Sequence, residues 1–334
     1  MSKADAAAAI LWVGATFYAL FGGADFGGGF WDLIAGDAEK GERPRALIQR
    51  SLTPVWEANH VWLIFVLVIL WTAFPPAFSA IFTTLYVPIA LAAVGIILRG
   101  AGFAFRKSIV GLRERRAMGA TFAISSVLTP FFMGAVVGAI AAGHVPAEGK
   151  GDALSSWIQP LPLLVGAMFV ASGAYLAAVF LVGDARRSGN AEMERYFERR
   201  ALGAAVVAGV FALAGLFALH SEARYVFDRL TAEGLPLVIL SLLCGAALLA
   251  VLLRGGRRPL RPLAAGAVVA VIWGWGVAQF PYLLPTSLRI DQAAAPDPTL
   301  TTVFVVFAAA AVVVLPSLAL LYTLAQKDLL EGDH

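Results

Sequence analysis

The sequence predicts an all-α integral membrane protein of about nine transmembrane helices, arranged as two four-helix bundles plus one peripheral helix. Three observations carry this. Hydrophobic residues make up 60% of the 334 and charged residues only 14%, with a mean hydropathy of +0.80, the balance of a chain that lives in lipid. Apolar stretches of about 20 residues, the length that crosses a hydrocarbon core, recur along its whole length. Finally, the basic residues segregate into alternate loops, as cytoplasmic retention of Lys and Arg requires.

In order, the spans read 8–29, 58–76, 79–98, 119–142, 160–182, 201–219, 235–253, 262–284 and 301–324. The first runs apolar into the glycine cluster GGADFGGGFWD at 22–32, and the second opens with the polar head TPVWEANHVW at 53–62. AFPPAFSA separates the second span from the third, which gives way to Arg99 and Arg106. The fourth follows Arg113, Arg115 and Arg116, and the fifth stops at Arg186 and Arg187. The sixth follows Arg199 and Arg200, the seventh ends at Arg254, and the eighth follows Arg261 and closes on WGWGVAQFPYLLP. The ninth is the run rich in Val and Ala before the tail. The whole is one polytopic domain, with spans 1–4 over about 8–142, spans 5–8 over about 160–284 and the ninth over about 301–324. LWVGATF at 11–17 and LLVGAMF at 163–169 share five of seven positions, consistent with a repeat of the first four spans in the next four.

Nine spans place the termini on opposite faces. One set of loops then holds 20 of the 25 basic residues, and the other only Lys3, Lys150, Arg224, Arg229 and Arg289. The amino terminus is therefore expected outside and the carboxyl terminus in the cytoplasm. Adding or removing one span would invert every later loop, so the asymmetry supports the count as well as the direction. The start, MSKADAAAAILWVG, lacks a small-residue cleavage site and reads as a retained first helix.

Net charge +3 is explained by topology, which leaves nothing to suggest a nucleic-acid partner. The single cysteine, Cys244, excludes an internal disulfide or a thiolate cluster. No segment has the glycine pattern that cradles nucleotide phosphates.

Acids inside a span are functional candidates, because their burial is costly. Asp25 ends the first span among glycines and Glu57 opens the second, so both are expected at the cytoplasmic mouth. Burial favours the neutral form of a carboxylic acid, and such a group can exchange protons with water, Asn59 or His60. A structural role competes: Glu57 complements the positive end of its helix, and Asp25 closes the first helix or pairs with a loop arginine. Of the four histidines, His60, His144, His220 and His334, only His144 and His220 could hold a haem together, and both sit at helix ends where an exposed imidazole is commoner. Met118, Met133, Met168 and Met193 read as packing. Trp12, Trp56, Trp62, Trp71, Trp157, Trp273 and Trp275 gather near span ends as an interfacial belt. Near the end of the eighth span, Gln279 precedes Pro281, and a proline inside a helix frees a carbonyl. Trp275, Gln279 and Pro281 are thus candidates to line a polar cavity or a quinone headgroup site, and a kink at a bundle contact is the competing reading.

With these residues in view, the chain resembles subunit II of the cytochrome bd-type quinol oxidases. The resemblance rests on GADFGGG, TPVWEANHVWL, AFPPAFSA, LYVPIALAAVGIILRGAGFAFR, QFPYLLPTSLRIDQAAAPDPTL and LPSLALLYTL, and it covers essentially the whole chain. It implies a partner, subunit I, that carries haems b and d and the quinol-oxidising loop, and a haem-free scaffold role for this chain. The complex would oxidise quinol at the outer face of a bacterial plasma membrane and reduce dioxygen to water with protons from the cytoplasm. A small accessory subunit, bound lipid and a structural quinone are further partners the resemblance allows. It also implies that Glu57 stands where many members have Asp, that Asp25 matches the second acid of the family's DGFDLG pattern while Gly22 replaces the first, and that His60 stands where many have Glu. Arg99 and Arg106 match arginines after the third span and are expected to pair with loop acids or lipid phosphate. A proton-coupled secondary transporter and a purely structural membrane subunit are the readings from other classes.

Overall fold

The structure is a computed structural model that describes residues 2–37, 39–52, 56–108, 112–256 and 259–326. Helix α1, Lys3–Phe17, starts from a capping box in which Ser2 and Asp5 exchange side-chain and backbone hydrogen bonds. It continues without a break through a π-turn, Tyr18–Gly22, into α2, Gly23–Leu33. The first span is therefore one helix of 31 residues. An amphipathic α3, Glu42–Leu52, follows on its polar side. Arg45 fastens the intervening turn, donating from Nε to Asp32 at 2.9 Å and to the carbonyls of Asp37 and Gly36.

Two spans expected as neighbours, 58–76 and 79–98, are built differently. Helix α4, Trp56–Ala73, stops at Phe74, and a short α5, Pro75–Thr84, leaves at 116° before α6, Tyr86–Ser108. Pro75 and Pro76 have no N–H to continue α4, whereas proline suits the first turn of a new helix. The third span thus begins at Tyr86 rather than 79, and Arg99 lies inside it. Among the described residues, eight helices are long and apolar enough to cross a membrane, or nine if the α4–α5 pair counts as one crossing.

Helices α7, Leu112–Ala141, α8, Pro160–Arg187, and α9, Ala191–Glu222, follow, then a short α10, Arg224–Thr231. Helix α11, Leu235–Leu253, and α12, Leu260–Gln279, form an antiparallel pair. The eighth span was expected to run to 284 through Pro281. It ends at Gln279, because Pro281 lacks an N–H and holds Phe280 extended, with φ −55° and ψ 137°. Beyond it β1, Tyr282–Leu284, pairs antiparallel with β2, Leu288–Arg289, and α13, Ile290–Ala293, leads into α14, Asp297–Gln326.

The centre is the contact of α2 with α7 and α8. It is built on glycine: a methyl on Gly27 would stand 1.9 Å from the carbonyl oxygen of Gly173, so the two backbones touch. Around it pack Trp31, Leu176, Val179, Val182 and Phe197. By contrast α9, α11 and α14 carry exposed Val210, Phe217, Leu243 and Val312 on faces suited to hydrocarbon.

Candidate functional site

A regular helix would not aim Asp25 where it points. The π-turn at Tyr18–Gly22 inserts one residue into the helical register, which rotates everything after it by about 100°. Gly22 permits this, since a methyl there would lie 2.7 Å from the Tyr18 ring. Asn59, buried on α4, donates from Nδ2 to the carbonyl of Phe21 within the turn at 3.3 Å. His60, the next residue, meets the rings of Tyr18 and Phe26 edge-on, with centroids 6.5 and 6.1 Å apart.

Rotated in this way, Asp25 faces α6 and α7 and is 1% exposed. Its Oδ2 accepts from Nη1 of Arg99 at 2.9 Å, and its backbone carbonyl accepts from Nη2 at 3.2 Å. Nε of Arg99 donates to Oγ of Ser126 at 2.9 Å. The guanidinium is sandwiched between Phe26 and Phe122, whose centroids lie 4.7 and 4.9 Å away. Arg99 is itself 1% exposed, so the pair is sealed from solvent on this chain. It lies about 12 Å, two helical turns, before the end of α2. The expectation that Arg99 pairs with a loop acid or a lipid phosphate is thus corrected. An arginine that cannot reach water needs a buried countercharge, and Asp25 supplies it.

Asn59 and His60 therefore meet the first span at Tyr18, Phe21 and Phe26, whereas Asp25 turns to Arg99 on α6. Glu57 falls in the first turn of α4, but its side chain lies outside the described residues, as do that of Arg106 and the whole of His334. Sequence reasoning missed Ser126 and the intrahelical place of Arg99. The available signal was an arginine followed by GAGFAF, an apolar run that lets the helix continue past it.

Trp275 and Gln279 are elsewhere. Trp275 packs on Trp12 with centroids 4.8 Å apart, and Trp12 donates from Nε1 to the carbonyl of Ile272 at 3.0 Å. Trp12 is separated from Asp25 by about 20 Å of one helix. Gln279 is buried and donates from Nε2 to the carbonyl of Leu283 at 2.7 Å, which ties the helix end to β1. Its Oε1 and the Nε1 of Trp275 are buried with no hydrogen-bond partner among the described residues. Pro281 follows the helix end instead of breaking the helix.

His144 and His220 serve local contacts. A ring nitrogen, Nδ1, of His144 lies 3.1 Å from the carbonyl of Ser156, and Nε2 of His220 lies 2.6 Å from Nη1 of Arg224. Among the described residues no group of three or more His, Cys, Asp or Glu could hold a metal ion.

The chain is similar to known proteins over nearly its whole length. The family model described as cytochrome bd terminal oxidase subunit II matches residues 4–325. The putative cytochrome bd menaquinol oxidase subunit II of Bacillus subtilis is 20% identical over 334 residues, 96% of this chain and 95% of that protein. The cytochrome bd-I ubiquinol oxidase subunit 2 of Escherichia coli is 26% identical over 220 residues, 63% of this chain and 55% of that one. In the solved structure of the bd oxidase from Geobacillus thermodenitrificans, one chain superposes with a TM-score of 0.80 at 25% identity, covering 97% of this chain and 98% of that one. The chain therefore belongs to the cytochrome bd terminal oxidase subunit II family, as a multi-pass bacterial membrane subunit of a quinol oxidase complex whose partner is a subunit I.

Proposed function

We propose that this chain is the haem-free half of the oxidase, which scaffolds a subunit I bearing haems b and d and supplies a cytoplasmic path for the protons consumed when dioxygen is reduced to water. Quinol oxidation and oxygen chemistry belong to the complex. The observation that carries this reading is the polar network inside the first span: Asp25 paired with Arg99, which Ser126 anchors in turn, with Asn59 and His60 at the adjoining turn. Protons enter at Glu57, at the head of α4, pass Asn59 and His60, and reach Asp25. Basic loops on the same side as that mouth make it the cytoplasmic one, with the amino terminus outside. The engagement of His144 and His220 in local contacts supports placing the haems on the partner.

At the opposite end, Trp275 Nε1 offers a donor and Gln279 Oε1 an acceptor one helical turn apart. The donor suits a quinone carbonyl and the acceptor the hydroxyl of a quinol or a lipid headgroup, and we assign the pair as a lining for a structural quinone or lipid. The relatives' names include both menaquinol and ubiquinol oxidases, so quinol is the donor class.

The test is Glu57→Gln in the assembled oxidase. Proton uptake through this chain predicts a normal haem spectrum with quinol:oxygen turnover slowed by about tenfold or more. A subunit that only scaffolds predicts normal haem and normal turnover, and that result would refute the path.

A further inference from the structure

Helix α7 carries a series of hydroxyls toward the Arg99 network, and one of them behaves differently from the rest. Thr121, Ser125 and Ser126 fold their hydroxyls back onto carbonyls one turn earlier, at 3.0, 2.6 and 2.6 Å. Thr129 is fully buried, and its Oγ1 has no hydrogen-bond partner among the described residues. That oxygen points at Gly95 of α6, where a methyl would stand only 2.3 Å from it. The next residue is Pro130, which has no N–H to give to the carbonyl of Ser126. The same turn of α7 thus presents a free hydroxyl and a carbonyl without its usual helical donor.

Asp25 comes level with this turn. A methyl on Gly29 would collide with Ser126 Oγ at 2.2 Å, and the Tyr18 hydroxyl reaches Sδ of Met133 at 3.7 Å. Those two contacts set an antiparallel register between α2 and α7 that puts Asp25 opposite the Ser126–Thr129 turn. Its Oδ2 is taken by Arg99, while Oδ1 is buried and has no hydrogen-bond partner among the described residues. A group that bridges these oxygens must donate as well as accept. A cation is disfavoured, since Arg99 already neutralises the carboxylate and would repel a second positive charge at such short range. Water satisfies the set, because internal waters take two to four polar partners of this kind.

We propose that an internal water at this turn bridges Asp25 Oδ1 and Thr129 Oγ1, and that Thr129 is a positioning residue for the proton step beyond Asp25. The proposal rests on the reading of Asp25 as a proton carrier. When the Asp25 carboxyl is protonated, it passes its proton to the bridging water. The hydronium so formed releases one of its protons onward to the dioxygen-reducing partner subunit, where it is consumed, and returns to water. No net charge stays on Thr129.

The experiment compares Thr129→Val, Thr129→Ser and Glu57→Gln in the full oxidase complex, reading haem content, quinol:oxygen turnover and a high-resolution structure of the parent. Thr129→Val keeps the shape and removes the hydroxyl. It is expected to slow turnover by about tenfold with haem content unchanged, and Thr129→Ser to restore the rate. The parent structure is expected to show ordered density within hydrogen-bond distance of both Oδ1 and Oγ1. Slow turnover in Glu57→Gln with parental turnover in Thr129→Val would leave the uptake path standing and overturn the role of Thr129. Parental turnover in both variants would overturn the path and with it this step. A site without density would overturn the water.

Discussion

Replacing Arg99 by Met tests what holds the polar network in a span that is otherwise apolar. Methionine keeps the unbranched apolar stem but removes the guanidinium that lies between Phe26 and Phe122 and with it three hydrogen bonds, to Asp25 Oδ2 at 2.9 Å, to the Asp25 carbonyl at 3.2 Å and to Ser126 Oγ at 2.9 Å. It also leaves the carboxylate of Asp25, 1% exposed, without its countercharge. Breaking a buried pair by removing one partner costs about 3–5 kcal/mol, most of it the unpaired charge. Asp25→Asn in the Arg99→Met background removes that charge, so the double variant is expected to recover most of the loss. The measurement is the thermal midpoint at which the purified oxidase loses its haem spectrum, for the parent, both single variants and the double. A coupling of about 3 kcal/mol is expected from such a cycle. Strict additivity of the two single effects would refute the claim that Asp25 and Arg99 stabilise each other.

Two further outcomes follow from the geometry. Gly27→Ala drives a methyl to 1.9 Å from the Gly173 carbonyl oxygen, which is backbone and cannot swing away; separation of α2 from α8 should abolish assembly, read as the yield of haem-loaded complex. Gly203→Ala, with nothing within 4 Å of the new methyl, should leave that yield unchanged and serves as its control. In the loop between α7 and α8, Asp152 accepts backbone hydrogen bonds from Ser155 and Leu154 and one from the Ser155 hydroxyl, which holds its carboxyl below the usual carboxylate range. A depressed folded pKa means that the stabilisation is present above the ordinary Asp pKa and lost as pH falls through the lower, folded one. Amide exchange at Leu154 and Ser155, corrected for its intrinsic pH dependence, should therefore stay protected at neutral pH and lose protection only in strong acid. Loss of protection between pH 6 and 8 would refute that account.

Much of the site was legible in the residues. A carboxylate among glycines at the end of an apolar run, and an amide and imidazole at the head of the next, are costly enough in lipid to single out Asp25, Asn59 and His60; the structure buries Asp25 against Arg99 and sets Asn59 and His60 beside the π-turn before it. Glu57 was singled out by the same argument. Arg99 was legible as a basic residue near a span end but not as the partner of Asp25. That pairing depends on which face each helix turns inward, and a π-turn altered the face for α2. Similarly, Gln279 and Trp275 were marked for their polarity in an apolar helix, while the role of Pro281 as a terminator depended on the hairpin that follows it.

By itself the sequence determined the class, the segregation of charge and the family, because hydrocarbon thickness and the cost of burying charge act on composition and on residues close along the chain. The structure alone decided the backbone contact of Gly27 with Gly173 and the pairing of Asp25 with Arg99. These join segments 74 to 146 residues apart, and in a bilayer such meetings are set by the close fit of helix faces and by the need of each buried polar group for a partner. No local rule in the sequence specifies either.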